Sequence, residues 1–148
     1  MSKRTTHFWI EVVLLVLITA GIATAFLIDE MQPLNKQDIK MDVSDLRSFA
    51  AAGRQLLDQQ QKGQLTQTFF DSQASLLKEK VRSTTEALHD GAEPAAERDR
   101  REASNLAAQV SAAVEDLEAG RSNDSSLGRV LEELKLKSKQ LEDRLKNE

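Results

Sequence analysis

FDSQASLLKEKVRSTTEAL, residues 70 to 88, decides the fold of this chain. Within it Phe70, Ala74, Leu77, Val81, Thr84 and Leu88 step by 4, 3, 4, 3 and 4. An α-helix turns once in about 3.6 residues, so these side chains share one stripe. A sustained 3-4 alternation is the seam of a coiled coil, or of a bundle packed like one.

The same rhythm recurs on either side. Upstream, Leu46, Ala50, Gly53 and Leu57 follow it, with Phe49 and Leu56 alongside. Downstream come Ala103, Ala107, Val110, Val114 and Leu117, flanked by Leu106 and Ala113, and then Leu127, Leu131, Leu134, Ser138, Leu141 and Leu145. No alternating strand pattern lasts for five residues. Gly63, Gly91 and Gly120 close successive runs, as glycine does just past a helix end. Pro94 opens a new run where proline is tolerated, and residues 122–126 (SNDSS) supply N-caps for the last. The spacing predicts four helices at about 42–62, 64–90, 94–119 and 125–147, joined by short connections that favour antiparallel neighbours. Gly63 is the weakest boundary, since bridging it would fuse the first two helices into one rod. With Leu131, Ser138 and Leu145 at position a, Lys137 and Glu142 would pair across two parallel copies of the last helix. That run spans under three heptads, so one bundle per chain is expected rather than a dimeric zipper.

The N-terminus reads differently. Residues 8–28, FWIEVVLLVLITAGIATAFLI, reach the length of about 20 residues that crosses a bilayer as a helix. Lys3 and Arg4 precede the run and Asp29 and Glu30 follow it, so the positive-inside rule puts the N-terminus in the cytoplasm. The expected anchor is residues 1–30, followed by a linker over 31–41 containing Pro33 and an exported helical part over 42–148. Trp9 lies at the cytoplasmic interface. Glu11 sits one turn inside, where it snorkels to the headgroups or meets another membrane helix. Ala23-Thr24-Ala25 has the form of a signal-peptidase site, but the apolar run continues past it. The fold class is therefore all-α: a single transmembrane helix, then an up-down bundle of about four helices with coiled-coil-like packing. The location is the inner membrane, single-pass, with the C-terminal part in the periplasm.

Composition limits function further. From Asp29 onward 18 basic and 23 acidic residues remain, with no basic patch, which argues against nucleic acid as a partner. The chain has no cysteine, which excludes disulfides and thiolate metal sites. His7 precedes the membrane run, and His89 stands beside Asp90 at a helix end, where a cation meets a favourable dipole. Glu115-Asp116 and Glu132-Glu133 are adjacent on helices and point about 100° apart, and no Glu-x-x-His accompanies them. The run from Glu97 to Glu102 mixes signs as a solvated helix surface does. No phosphate loop, nucleophile elbow or zinc motif occurs, so the sequence predicts no enzyme, no cofactor and no metal.

What remains is an interaction or scaffold protein, docking through its exported helices on another membrane or envelope protein, with self-association as a further possibility. Phe69 and Phe70 cannot both face one seam, and Leu136 lies off the fourth stripe, so these three are the candidate contacts. The layout of one anchor followed by helices resembles that of phage inner-membrane spanins, although many spanins carry cysteines and this chain has none. The alternative is a ligand-sensing four-helix domain, similar to chemoreceptor sensor regions, that signals through a partner.

Overall fold

The computed structural model describes residues 33–120 and 125–147. Leu34–Glu148 forms one compact unit of four helices, with no strand among the described residues: α1 (Lys36–Gln61), α2 (Gln67–Ala87), α3 (Glu97–Glu118) and α4 (Ser125–Asn147). The apolar run at residues 8–28, with Trp9 and Glu11, lies outside the described residues, as do residues 121–124. Among the described residues no helix is long and apolar enough to cross a membrane.

The first helix begins six residues before the expected start at 42, inside the expected linker. Two local signals account for this. Asn35 Oδ1 accepts hydrogen bonds from the backbone of Gln37 (2.8 Å) and Asp38 (3.1 Å), while Asp38 Oδ2 accepts from Asn35 N (3.1 Å), a closed capping box. Ile39 and Val43, both fully buried, extend the α1 stripe upstream of Leu46. Leu34 is tied down too: its N–H donates to Gly91 O (2.8 Å) and its carbonyl accepts from Glu93 N (3.0 Å).

Gly63 is a true boundary, so α1 and α2 are separate helices. It adopts φ +64°, a left-handed conformation that costs a β-carbon-bearing residue energy. Gln64 N bonds Gln59 O (3.0 Å) and Gly63 N bonds Gln60 O (2.9 Å), the two bonds of a Schellman cap. Gly120 has φ +72° and closes α3. Gly91 does not behave as expected: its φ is not positive, and α2 has already ended at Ala87. There the carbonyl of Leu88 accepts from Arg100 Nη1 (2.9 Å) and Ser104 Oγ (3.1 Å), so α3 side chains cap α2. Pro94 stands in a turn, and α3 starts after it at Glu97.

All four stripes turn inward and form one core. Consecutive helices run in opposite directions, as in an up-down bundle. Gln60 Nε2 reaches Gln67 Oε1 (2.9 Å) across the α1–α2 turn. Arg144 near the end of α4 meets Glu102 near the start of α3, and Arg47 on α1 meets Glu142 on α4. The α1 and α3 backbones approach each other across the bundle, whereas those of α2 and α4 do not. Small residues explain this asymmetry. The buried stripe of α1 carries Ala50 and Gly53, and that of α3 is largely alanine and valine. A methyl group on Gly53 would stand 3.4 Å from both Leu77 and Leu131, so leucines from opposite corners fill the space that glycine leaves. Ser138, the one polar residue of the α4 stripe, is fully buried and bonds Leu134 O on its own helix (2.8 Å). With this seam buried inside the chain, Lys137 pairs with Glu133 (2.8 Å) and Glu142 with Arg47 (2.8 Å), rather than with each other across a zipper.

Candidate functional site

Neighbouring helices in this bundle are tied by ion pairs, with one exception. Lys78 Nζ on α2 lies 2.6 Å from Glu118 Oε2 on α3. Arg144 on α4 grips Glu102 on α3 through two bonds of 3.2 and 2.6 Å. Arg47 Nη1 on α1 stands 2.8 Å from Glu142 Oε2 on α4, close enough for an ion pair though not aligned as a hydrogen bond. Among the described residues no ion pair joins α1 to α2.

The α1–α2 seam instead carries a groove of about 470 Å3. Phe49, Ala52 and Leu56 from α1 and Phe69, Leu76 and Leu77 from α2 make its apolar lining. Phe69 and Leu76 are each 50% exposed, although the core beneath them is complete. Ser48, Gln55, Gln59 and Gln73 form most of the polar lining, and among the described residues Lys80 brings the one charge to it. The grooves beside α4 contrast with this. Asp116, Glu133 and Lys137 line one α3–α4 groove, and Glu102, Lys137 and Arg144 line the next.

The expected contact residues separate. Phe70 is 1% exposed and belongs to the core, which corrects its assignment as a contact: the 3-4 rhythm of α2 starts at Phe70 and leaves Phe69 outside. Leu136 is 51% exposed, but it stands on α4, across the bundle from α2. Phe69 and Leu136 therefore do not form one patch. Ala52 and Leu76 are the apolar groove residues that the sequence pattern does not bring out, and Phe49 stands there only beside the α1 stripe. Leu76 carries a readable signal, an apolar residue beside the stripe residue Leu77. Phe49 and Phe69 line the same groove only because α1 and α2 pack side by side, Phe69 near the turn and Phe49 beside Ser48 at the other end.

The mixed-sign run is not a freely solvated surface. Glu97 accepts from Arg100 Nε and Nη2 (both 2.9 Å) and from Arg101 Nε (2.9 Å). These hydrogen bonds hold its carboxyl well below the usual range, at about 2. Asp99 is buried, with Arg144 Nη2 at 3.6 Å. The cluster fastens the ends of α2, α3 and α4 together. On α1, burial first and then the neighbouring carboxylates Asp45 and Asp38 push Asp42 up to about 6. His89 Nδ1 lies 2.7 Å from Thr85 O, one turn back on its own helix. Among the described residues no group of three or more His, Cys, Asp or Glu side chains is placed to hold a metal ion.

By fold the described residues form an all-helical, four-helix unit with a largely apolar groove between α1 and α2. No family model matches the chain, and neither characterised proteins nor solved structures give a match.

Proposed function

We propose that this chain is a non-enzymatic, single-pass membrane protein. In this reading residues 8–28 anchor it in the inner membrane and its helices assemble with another membrane or envelope protein on the periplasmic side. The anchor rests on the length of the apolar run and on Lys3 and Arg4 before it, against Asp29 and Glu30 after it. The interaction role rests on one observation. Large apolar side chains remain half exposed along the α1–α2 seam, over a core that needs none of them. Grouped apolar surface of this kind marks an interaction site more often than scattered single residues do.

Two measurements test the reading. A reporter fused to the C-terminus should be active only if its enzyme works outside the cytoplasm; activity in the cytoplasm would overturn the topology. Co-purification from detergent should lose a specific partner when Phe69→Ser and Leu136→Ser are combined, while the helical melt is kept. Unchanged retention would count against the interaction role. Saturable heat on addition of a small molecule to the purified chain would favour the sensor reading instead.

A further inference from the structure

The chemistry of the α1–α2 groove selects its occupant. Ser48, Gln55, Gln59 and Gln73 border it, and hydroxyls and carboxamides both donate and accept hydrogen bonds. A copy of the same face can satisfy such a border, which is not true of a border with charges of one sign. The charges along the stripe complete the case. Asp45 lies seven residues before Ala52, so it stands on the groove stripe of α1, about one turn beyond Ser48. Lys80 lines the α2 side. The Gln60–Gln67 bond marks the turn end of the groove, which places Ser48 and Lys80 together at the other end. Neither Asp45 nor Lys80 has an ion pair among the described residues.

We infer that a second copy of this chain fills the groove, related by a two-fold axis running along it. Each α1 then lies against the other copy's α2 at the same level, and Asp45 of one copy meets Lys80 of the other, twice over, as an isologous interface requires. An axis running across the groove is less suitable. It would set Lys80 against the Gln59 and Phe69 end of the other copy, where no carboxylate lines the groove among the described residues. The chosen axis also keeps both Leu34 starts at one end of the pair, as two anchors in one membrane need. The inference rests on the interaction reading above and deepens it: the groove serves self-pairing, and the opposite corner at Leu136 is left for another protein.

The test is sedimentation equilibrium of the full-length chain in detergent. The wild type should be a dimer. Phe69→Ser with Leu76→Ser should raise the dissociation constant by about tenfold or more. Lys80→Glu should also raise it, and adding Asp45→Lys should restore it, which separates a lost contact from a lost fold. Leu136→Ser should leave it unchanged. A wild-type monomer at all concentrations would overturn the inference, and so would a dimer indifferent to the groove variants. A monomer that loses another protein through Phe69→Ser would overturn self-pairing while leaving the proposed function standing. A cytoplasmic C-terminus would do the reverse.

Discussion

The α3–α4 seam and the α1–α2 seam are built on the same 3-4 stripes, yet they end differently at the surface. Charged side chains border the first, and the Arg144–Glu102 grip closes it. Phenylalanine, leucine and glutamine border the second, which among the described residues has no ion pair across it. The difference shows that the stripe sets which residues form the core, while the flanking positions set whether the surface stops there. A border of charges favours water, and a border of half-exposed apolar groups and amides favours another protein face.

The largest contrast should come from leucine truncation. Leu131→Ala removes a fully buried side chain that packs over Gly53 and should cost about 2 to 5 kcal/mol. Leu76→Ala, in the groove, should cost the isolated fold less than about 1 kcal/mol. Chemical denaturation of both variants checks this; equal losses would mean that the groove is part of the core.

Next in size is the ionic contrast. Arg144→Ala leaves the buried Asp99 without its cation and should cost about 1 to 3 kcal/mol. Lys80→Ala should stay within about 0.5 kcal/mol in the monomer. A Lys80 effect as large as that of Arg144 would show that Lys80 has a partner within its own chain.

Glycine substitution compares the two turns around α2. Gly63→Ala forces a β-carbon into φ +64° and should cost about 1 kcal/mol. Gly91→Ala meets open space without a positive φ and should be close to neutral. Thermal melts that rank them in the opposite order would contradict the Schellman cap at Gly63.

The finest contrast is in pH. Glu97, held down to about 2, contributes stability that is whole above its ordinary 4.5 and is lost as pH falls from there toward 2. Asp42, raised to about 6 from 3.8, has the opposite sign: the folded chain holds that proton more tightly, so stability falls as pH rises from about 3.8 to 6. Glu97→Gln should flatten the acid limb of a melting profile, and Asp42→Asn should remove the decline toward pH 6. A profile that keeps both slopes in the variants would assign them to other groups.

The core was legible in the sequence because its signal is local. Every stripe position read from the 3-4 rhythm is buried, including the glycine and the serine that interrupt the leucines. The start of α1 was legible as well, in Asn35-x-x-Asp38 and in Ile39 and Val43, but Pro33 and the mixed charges pointed to a linker. The clasp of Arg144 on Asp99 could not be read this way. Its partners are far apart in the chain and meet only once α3 and α4 pack, so the run from Glu97 to Glu102 looks solvated until then. The groove falls between these cases. Phe69 could be recognised as the phenylalanine off the seam, but that Phe49 lines the same groove depends on how α1 and α2 pack.

The chain has no cysteine, so single substitutions can report directly on the α1–α2 face. Leu76 and Leu136 are exposed to nearly the same extent, 50% and 51%, in the single chain. The full-length protein is purified in detergent as Leu76→Cys or as Leu136→Cys, and the rate of thiol labelling is measured for each. If the groove is closed by a second copy, Leu76→Cys labels several-fold more slowly than Leu136→Cys, and dilution brings the two rates together. Equal rates at every protein concentration would contradict the account.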